Sequence, residues 1–166
     1  MKEQSEQKLY ETFLNFSCSR NKSVEKYLRE TAVRHERARI SRTYLILDTE
    51  PEEQLIGYIT IAMKCLNVGG EQNNEELIKK MNVSGDIAQS YLIGQLGKVD
   101  GCDKKIGEFA MDFALDVIED ASELIGCRVV RLDCKDALVK YYEGKGFSFL
   151  NKNSSGNLNR MVMVLA

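Results

Sequence analysis

Residues 91–107, Tyr-Leu-Ile-Gly-Gln-Leu-Gly-Lys-Val-Asp-Gly-Cys-Asp-Lys-Lys-Ile-Gly, decide how this chain is read. Tyr91 to Leu96 is a strand-like run that ends at Gly97, and the polar loop Lys98 to Lys105 delivers the backbone to a helix opening at Ile106-Gly107. The first turn of a helix leaves backbone N–H groups without intrahelical partners, and aligned peptide dipoles put partial positive charge there, so an anion is its natural guest. Gly107 removes a side chain where a diphosphate could approach the backbone, and Lys104 and Lys105 add countercharge. A glycine and a lysine pair at a helix start also suit plain turn formation and solvation, so the neighbouring segments have to decide.

Working outward, apolar residues recur at Phe109, Ala110, Phe113, Ala114, Val117, Ile118, Ala121 and Leu124, the spacing of a helix that lays one stripe on a core. Gly126 stands where a left-handed C-cap belongs. Cys127 to Cys134 then reads as a strand, and Lys135 to Glu143 as a short helix closed by Gly144 and Gly146. Strand, helix and strand in that order predict a right-handed parallel crossover.

The run Tyr142-Glu143-Gly144-Lys145-Gly146-Phe147 fits a Tyr-Glu-x-x-Gly-Phe pattern throughout, and Cys102-Asp103-Lys104-Lys105-Ile106-Gly107 keeps the last glycine of Arg/Gln-x-x-Gly-x-Gly/Ala. With the order of elements over roughly residues 10 to 166, the chain resembles the GCN5-related N-acetyltransferase superfamily. Cys102 stands where the family has a cation or amide, and Lys105 where it has a glycine. The resemblance implies an α/β (α+β) fold: a mixed, mostly antiparallel central sheet with a parallel βαβ cofactor unit and flanking helices. It implies acetyl-CoA as cosubstrate and transfer of the acetyl group to an amine of a small molecule or protein. Gln95, Leu96 and Gly97 would face the pantetheine and thioester, while Lys104, Lys105, Ile106, Gly107 and Glu108 would hold the diphosphate. Backbone donors aimed at developing oxyanion charge are a large catalytic term.

Tyr142 takes the family's tyrosine position and becomes the candidate acid. A phenol of pKa about 10 can donate to a thiolate whose parent thiol has a pKa of roughly 8 to 9. The same residue would also serve as a core ring beside Phe147, and Tyr141 points to a different face. For the general base Asp133, Glu71 and Glu75 all remain open, as does a path through water; the lone His35, among Arg34, Glu36 and Arg37, reads as a surface residue. Phe16-Ser17-Cys18 followed by Val24, Tyr27, Leu28 and Ala32 is similar to the opening of a branch of toxin acetyltransferases that act on aminoacyl-tRNA. A degenerate member that binds CoA as a sensor or interaction module is the other alternative, favoured by the altered loop. Homodimerisation is a family-level expectation.

Composition bears on the partners. There are 23 basic and 25 acidic side chains and a formal net charge of −2, which argues against a nucleic-acid partner, since such proteins neutralise several phosphates with clustered cations. Arg29, Arg34, Arg37, Arg39 and Arg42 are interleaved with Glu30 and Glu36, the pattern of a solvated helix face. At 166 residues and 43% hydrophobic content the chain is expected to form one domain, residues 1–166. No apolar run approaches a membrane span and the first residues lack a signal-peptide core, so the expected location is cytoplasmic, with no membrane partner. The five cysteines show no CxxC pairing, so reduced thiols and no metal are expected.

Elsewhere the pattern predicts an extended piece at Lys8 to Phe13 and a helix from Ser23, as N-cap, to Arg39. A hairpin follows from Thr43–Asp48 and Leu55–Leu66, then a polar region with a short helix at Glu75–Met81, and last a hairpin of Phe147–Leu150 with Met161–Leu165.

Overall fold

The computed structural model describes residues 2–70 and 74–166. The helices are α1 (Lys2–Asn15), α2 (Lys22–Lys26), α3 (Ala32–Arg37), α4 (Glu75–Met81), α5 (Ile106–Ile125) and α6 (Val139–Gly144), with a π-helical turn Tyr27–Thr31 joining α2 to α3. The strands are β1 (Arg42–Asp48), β2 (Gln54–Asn67), β3 (Ile87–Lys98), β4 (Val129–Cys134), β5 (Ser148–Lys152) and β6 (Asn159–Val164). Among the described residues they form one six-stranded sheet in the order β1-β2-β3-β4-β6-β5. The β1–β2, β4–β6 and β5–β6 pairs are antiparallel, whereas β3 and β4 run parallel across the α5 crossover. The mixed, mostly antiparallel sheet and both hairpins are as the sequence predicts.

Two compact units divide the chain, the first containing residues up to Ile61 with Gln95–Ala114, the second Ala62–Gly94 with Leu115–Ala166. In the first, Phe13, Phe16, Cys18, Val24, Leu28, Ala32 and Tyr58 form one buried cluster. Each large apolar side chain so enclosed contributes about 1.5–3 kcal/mol. Val24, Leu28 and Ala32 recur at helical spacing and turn one face of the α2–α3 helix inward, where Phe16 meets Tyr58 edge to face at 5.5 Å. The buried Tyr58 hydroxyl donates to the Val24 carbonyl at 2.6 Å. In the second unit Leu66, Val68, Leu77, Met81, Ala88, Val129, Leu150 and Val162 form the buried cluster, with Leu77 and Met81 supplied by α4.

Three local expectations are corrected. Lys8–Phe13 lies inside α1 instead of an extended piece, and Phe13 is buried from its last turn into the first unit's cluster. The N-cap of α2 is Asn21, two residues before Ser23: its side-chain carbonyl accepts the Val24 N–H and holds the Ser23 hydroxyl at 2.7 Å. The buried stripe of α5 is Ile106, Ala110, Met111, Ala114 and Ile118, while Phe109 and Leu124 stay exposed at 62% and 84%. Gly126, at φ 71°, is the left-handed stop that the pattern predicts.

Candidate functional site

In the first unit the end of β3, the loop after it and the start of α5 bring Gln95, Leu96, Gly97 and Lys104 to Glu108 into one continuous segment. The Gln95 N–H is already occupied, donating to the Thr60 hydroxyl at 2.8 Å. Gly97 is buried, and a Cβ there would stand 2.6 Å from both Tyr58 Cε1 and Val24 Cγ1, so its bare α-carbon serves the protein's own core. Gly57 on β2 is equally confined, since a side chain would run into Ile106 and the Gly97 carbonyl. Ile106 is therefore buried as a packing residue, holding the first turn of α5 onto β2.

Gly107 is different. A Cβ there meets nothing within 4 Å, and its φ lies outside the left-handed region, so neither packing nor backbone conformation demands glycine. Lys105 and Glu108 are exposed beside it. The Lys104 ammonium sits 2.6 Å from Asp48 Oδ2 at the end of β1. That contact holds the Asp48 carboxyl below its ordinary value and the Lys104 ammonium above its own, so Lys104 carries its charge already paired. Lys98 staples the loop by donating its ammonium to the Lys104 carbonyl at 3.2 Å.

The loop is also tied to the segment after α1. Asp100 accepts the Ser19 N–H at 2.9 Å and the Ser19 hydroxyl at 2.9 Å, while its own N–H donates to the Ser17 carbonyl. These bonds hold the Asp100 carboxyl below the usual carboxylate range, the Ser19 N–H first among them. Between residues 18–21, Leu96, Lys98 and the turn 99–102 lies an open cavity of about 560 Å³. Cys18 anchors one wall, its N–H donating to buried Glu25 at 2.8 Å, and Lys22 and Arg29 complete the pairing of that carboxylate.

In the second unit Tyr142 is buried at 9% exposure on α6, its ring edge to face with Tyr141 at 5.1 Å and with Phe147 at 5.9 Å. Its carbonyl accepts the N–H groups of Lys145 and Phe147, the turn that Gly146 closes at φ 92°. Burial pushes the phenol up to about 12, so at neutral pH it is fully protonated and able to donate. Its ring packs on Phe147, the core role that the sequence also allows. Of the candidate bases, Asp133 is ion-paired with Arg160, Glu75 is exposed in the first turn of α4, and Glu71 lies outside the described residues. His35 is half-buried rather than on the surface, its Nδ1 3.3 Å from the Tyr27 hydroxyl. Among the described residues no group of three or more His, Cys, Asp or Glu side chains is placed to hold a metal, and no helix is long and apolar enough to cross a membrane.

No protein-family model matches the chain, and no curated protein matches it. Solved structures do. A mutant of KacT carrying phenylalanine for one tyrosine superposes with a TM-score of 0.73 at 19% identity, over 92% of this chain and 86% of its own. AtaTR bound with acetyl-CoA gives 0.70 at 21% identity over 92% and 86%. AtaT complexed with acetyl-methionyl-tRNAfMet gives 0.69 at 20% identity over 89% and 85%. The fold is that of the GCN5-related N-acetyltransferases.

Within this acetyltransferase fold, β3 pairs in parallel with β4 at Tyr91↔Val130 and Leu92↔Arg131, then runs on to Lys98 through the segment that the sequence assigns to the coenzyme. Sequence reasoning missed Asp48, Thr60, Glu25 and Asp100, each of which fixes part of that segment or its neighbour from a distant place in the chain. A polar side chain between apolar positions, as Thr60 is within Tyr58-Ile59-Thr60-Ile61, was the available signal for one of them. Asp48 left none, because a strand-terminal aspartate before a turn is ordinary.

Proposed function

We propose that this chain is an N-acetyltransferase that takes the acetyl group from acetyl-CoA and delivers it to an amine. The observation that carries the reading is Gly107: a helix N-terminus on this fold with open space where a side chain would stand, and no requirement of its own for glycine. The N–H groups of Lys105, Gly107 and Glu108 where α5 begins meet the coenzyme diphosphate, the Ile106 N–H being taken by the Lys104 carbonyl at 3.1 Å, with Lys105 and, once it leaves Asp48, Lys104 as countercharges. Leu96 and Gly97 carry the pantetheine arm along β3, and Gln95 lies beside them with its N–H held by Thr60.

In the transfer step the acceptor nitrogen attacks the thioester carbon, the C–S bond breaks, and the CoA thiolate takes a proton. Tyr142, buried and protonated, is the donor assigned to that proton. The amine loses its own proton to solvent or to a carboxylate, for which Asp133 is the nearest candidate in sequence to the end of β4.

A second reading narrows the acceptor. One neighbour, AtaT, is complexed with acetyl-methionyl-tRNAfMet, another AtaT structure carries the C-terminus of the antitoxin AtaR with acetyl-CoA, and KacTA is complexed with DNA. Together with the Phe16-Ser17-Cys18 opening, these favour an aminoacyl-tRNA acceptor over a free small amine. Calorimetric titration with acetyl-CoA followed by thiol release against small amines, peptides and methionyl-tRNA tests both readings. Binding without release to any acceptor replaces catalysis with a CoA-binding module, and no binding removes the proposal.

A further inference from the structure

The helix that carries Tyr142 is too short to hold its own place. In the second unit α6 spans the six residues Val139–Gly144, and a 3₁₀ turn, Asp136–Leu138, leads into it. Isolated helices shorter than about 12–15 residues are marginal in water, so the position of this one is set by what grips its two ends. At the far end the Tyr142 carbonyl accepts the N–H groups of Lys145 and Phe147 at 3.0 Å each. At the near end Lys135 and Leu138, in the N-cap places of the two helical pieces, bring no side-chain cap among the described residues. The grip there comes from another strand.

Asn159 opens β6 opposite Cys134, the last residue of β4, and is only 5% exposed. Its side-chain amide donates twice, to Asp136 Oδ1 at 2.7 Å and to the Cys134 carbonyl at 3.4 Å. One buried amide thus ties the end of the strand to the first residue of the turn. The Lys152 ammonium also donates to Asp136 Oδ1, at 3.0 Å, and the two bonds, that of Asn159 first, hold the carboxyl below its ordinary value. They differ in worth. The Lys152–Asp136 pair joins side chains 47% and 86% exposed, where an ion pair adds little, whereas a buried amide that loses its acceptor has no water to replace it. Tyr142 follows Asp136 within about two helical turns. After burial, the nearby Cys134 is the next cause that raises its phenol, so the strand end held by Asn159 lies beside the hydroxyl as well.

We propose that Asn159 and Asp136 are positioning residues for acetyl transfer: their bond fixes where α6 leaves the sheet and so aims the Tyr142 hydroxyl for its proton transfer. This role rests on Tyr142 being the proton donor. Proton donation in a transition state needs hydrogen-bond reach, so a small displacement of α6 lowers turnover while acetyl-CoA affinity, to which neither residue contributes, holds.

Turnover of Asp136→Ala, Asp136→Asn and Asn159→Ala, each alone and combined with Tyr142→Phe, tests the role. Asp136→Ala cuts the tie at an exposed side chain, so the core stays filled even where Asn159→Ala fails to fold. Its kcat should drop about 10-fold, part of the roughly 10²-fold that general-acid catalysis supplies, with KM for acetyl-CoA unchanged. Asp136→Asn keeps an oxygen for the Asn159 amide and gives up only the Lys152 pair, so it should retain most of the native turnover. In the Tyr142→Phe background Asp136→Ala should cost nothing further, because the donor it positions is gone. A second readout needs no acetyl transfer: the phenolate step of Tyr142, near 12 in the native protein, should move towards about 10 in Asp136→Ala as α6 loosens. Native kcat in Asp136→Ala, an equal loss in both backgrounds, or an unmoved phenolate step overturns the positioning role. Native turnover in Tyr142→Phe alone overturns the donor assignment instead, and the phenolate step then decides whether the tie holds α6.

Discussion

Lys104 and Asp48 are joined by a 2.6 Å ion pair that takes up the lysine in the loop before α5. If Lys104 also serves the coenzyme, Asp48 competes with the diphosphate for it. Asp48→Asn is therefore expected to tighten acetyl-CoA binding by about threefold at low ionic strength, with the gain fading as salt is raised, in keeping with the small worth of exposed pairs. Titration calorimetry of both proteins checks this, and equal affinities would assign Lys104 to holding the loop alone.

The two glycines at 97 and 107 should respond in opposite ways to alanine. At Gly97 the new methyl collides with Tyr58 and Val24 inside the core, and a loss of about 1–3 kcal/mol is expected from denaturant unfolding. At Gly107 the methyl enters open space in a helix, so stability should hold or rise by up to about 1 kcal/mol. Acetyl-CoA affinity should hold with alanine, which the family motif admits there, and drop several-fold in Gly107→Leu, whose bulk occupies the approach to the first-turn N–H groups. A stable Gly107→Leu with native affinity would refute close backbone approach at that position.

Tyr142→Phe keeps the ring contacts with Tyr141 and Phe147 while removing one proton. Turnover should drop by about 10²-fold with the acetyl-CoA dissociation constant unchanged. Rapid-quench measurement of acetyl transfer separates this from slowed product release.

Alkaline titration offers an independent view of the same residue. Because its folded value is raised from about 10 to about 12, the unfolded chain loses this proton first, and stability declines as pH climbs through that interval. Phenolate absorbance of the native protein should show a late step near 12 that disappears in Tyr142→Phe.

Asp100 titrates with the opposite sign. Its folded value lies below the unfolded one, so its contribution is complete above about pH 4 and is lost as pH drops through the folded value. Unfolding midpoints of native protein and Asp100→Asn should differ most at neutral pH and converge as acid protonates the folded carboxyl.

Much of the fold could be read from spacing alone. The crossover from β3 through α5 to β4 announces itself by a continuous apolar run, a helical period and a terminal glycine, all local signals. What escaped were features decided by distant packing. Phe109 has the period of the buried stripe yet stays exposed, whereas Met111, outside that period, is buried, and only the tertiary contact selects between the two. Two polar residues around the loop were illegible for a related reason: Asp48 and Ser19 meet it only after the chain folds. Gly97 was noticed for ligand approach, whereas its neighbours give it a packing reason that no sequence window contains.

The bare meeting of Gly57 and Gly97 has a consequence for anyone diversifying this chain. In a saturation library selected for soluble protein, both codons should collapse to glycine while the codon for Gly107 drifts freely, until selection is switched to coenzyme capture. Comparing the two enrichment profiles would then separate architecture from ligand at single-codon resolution.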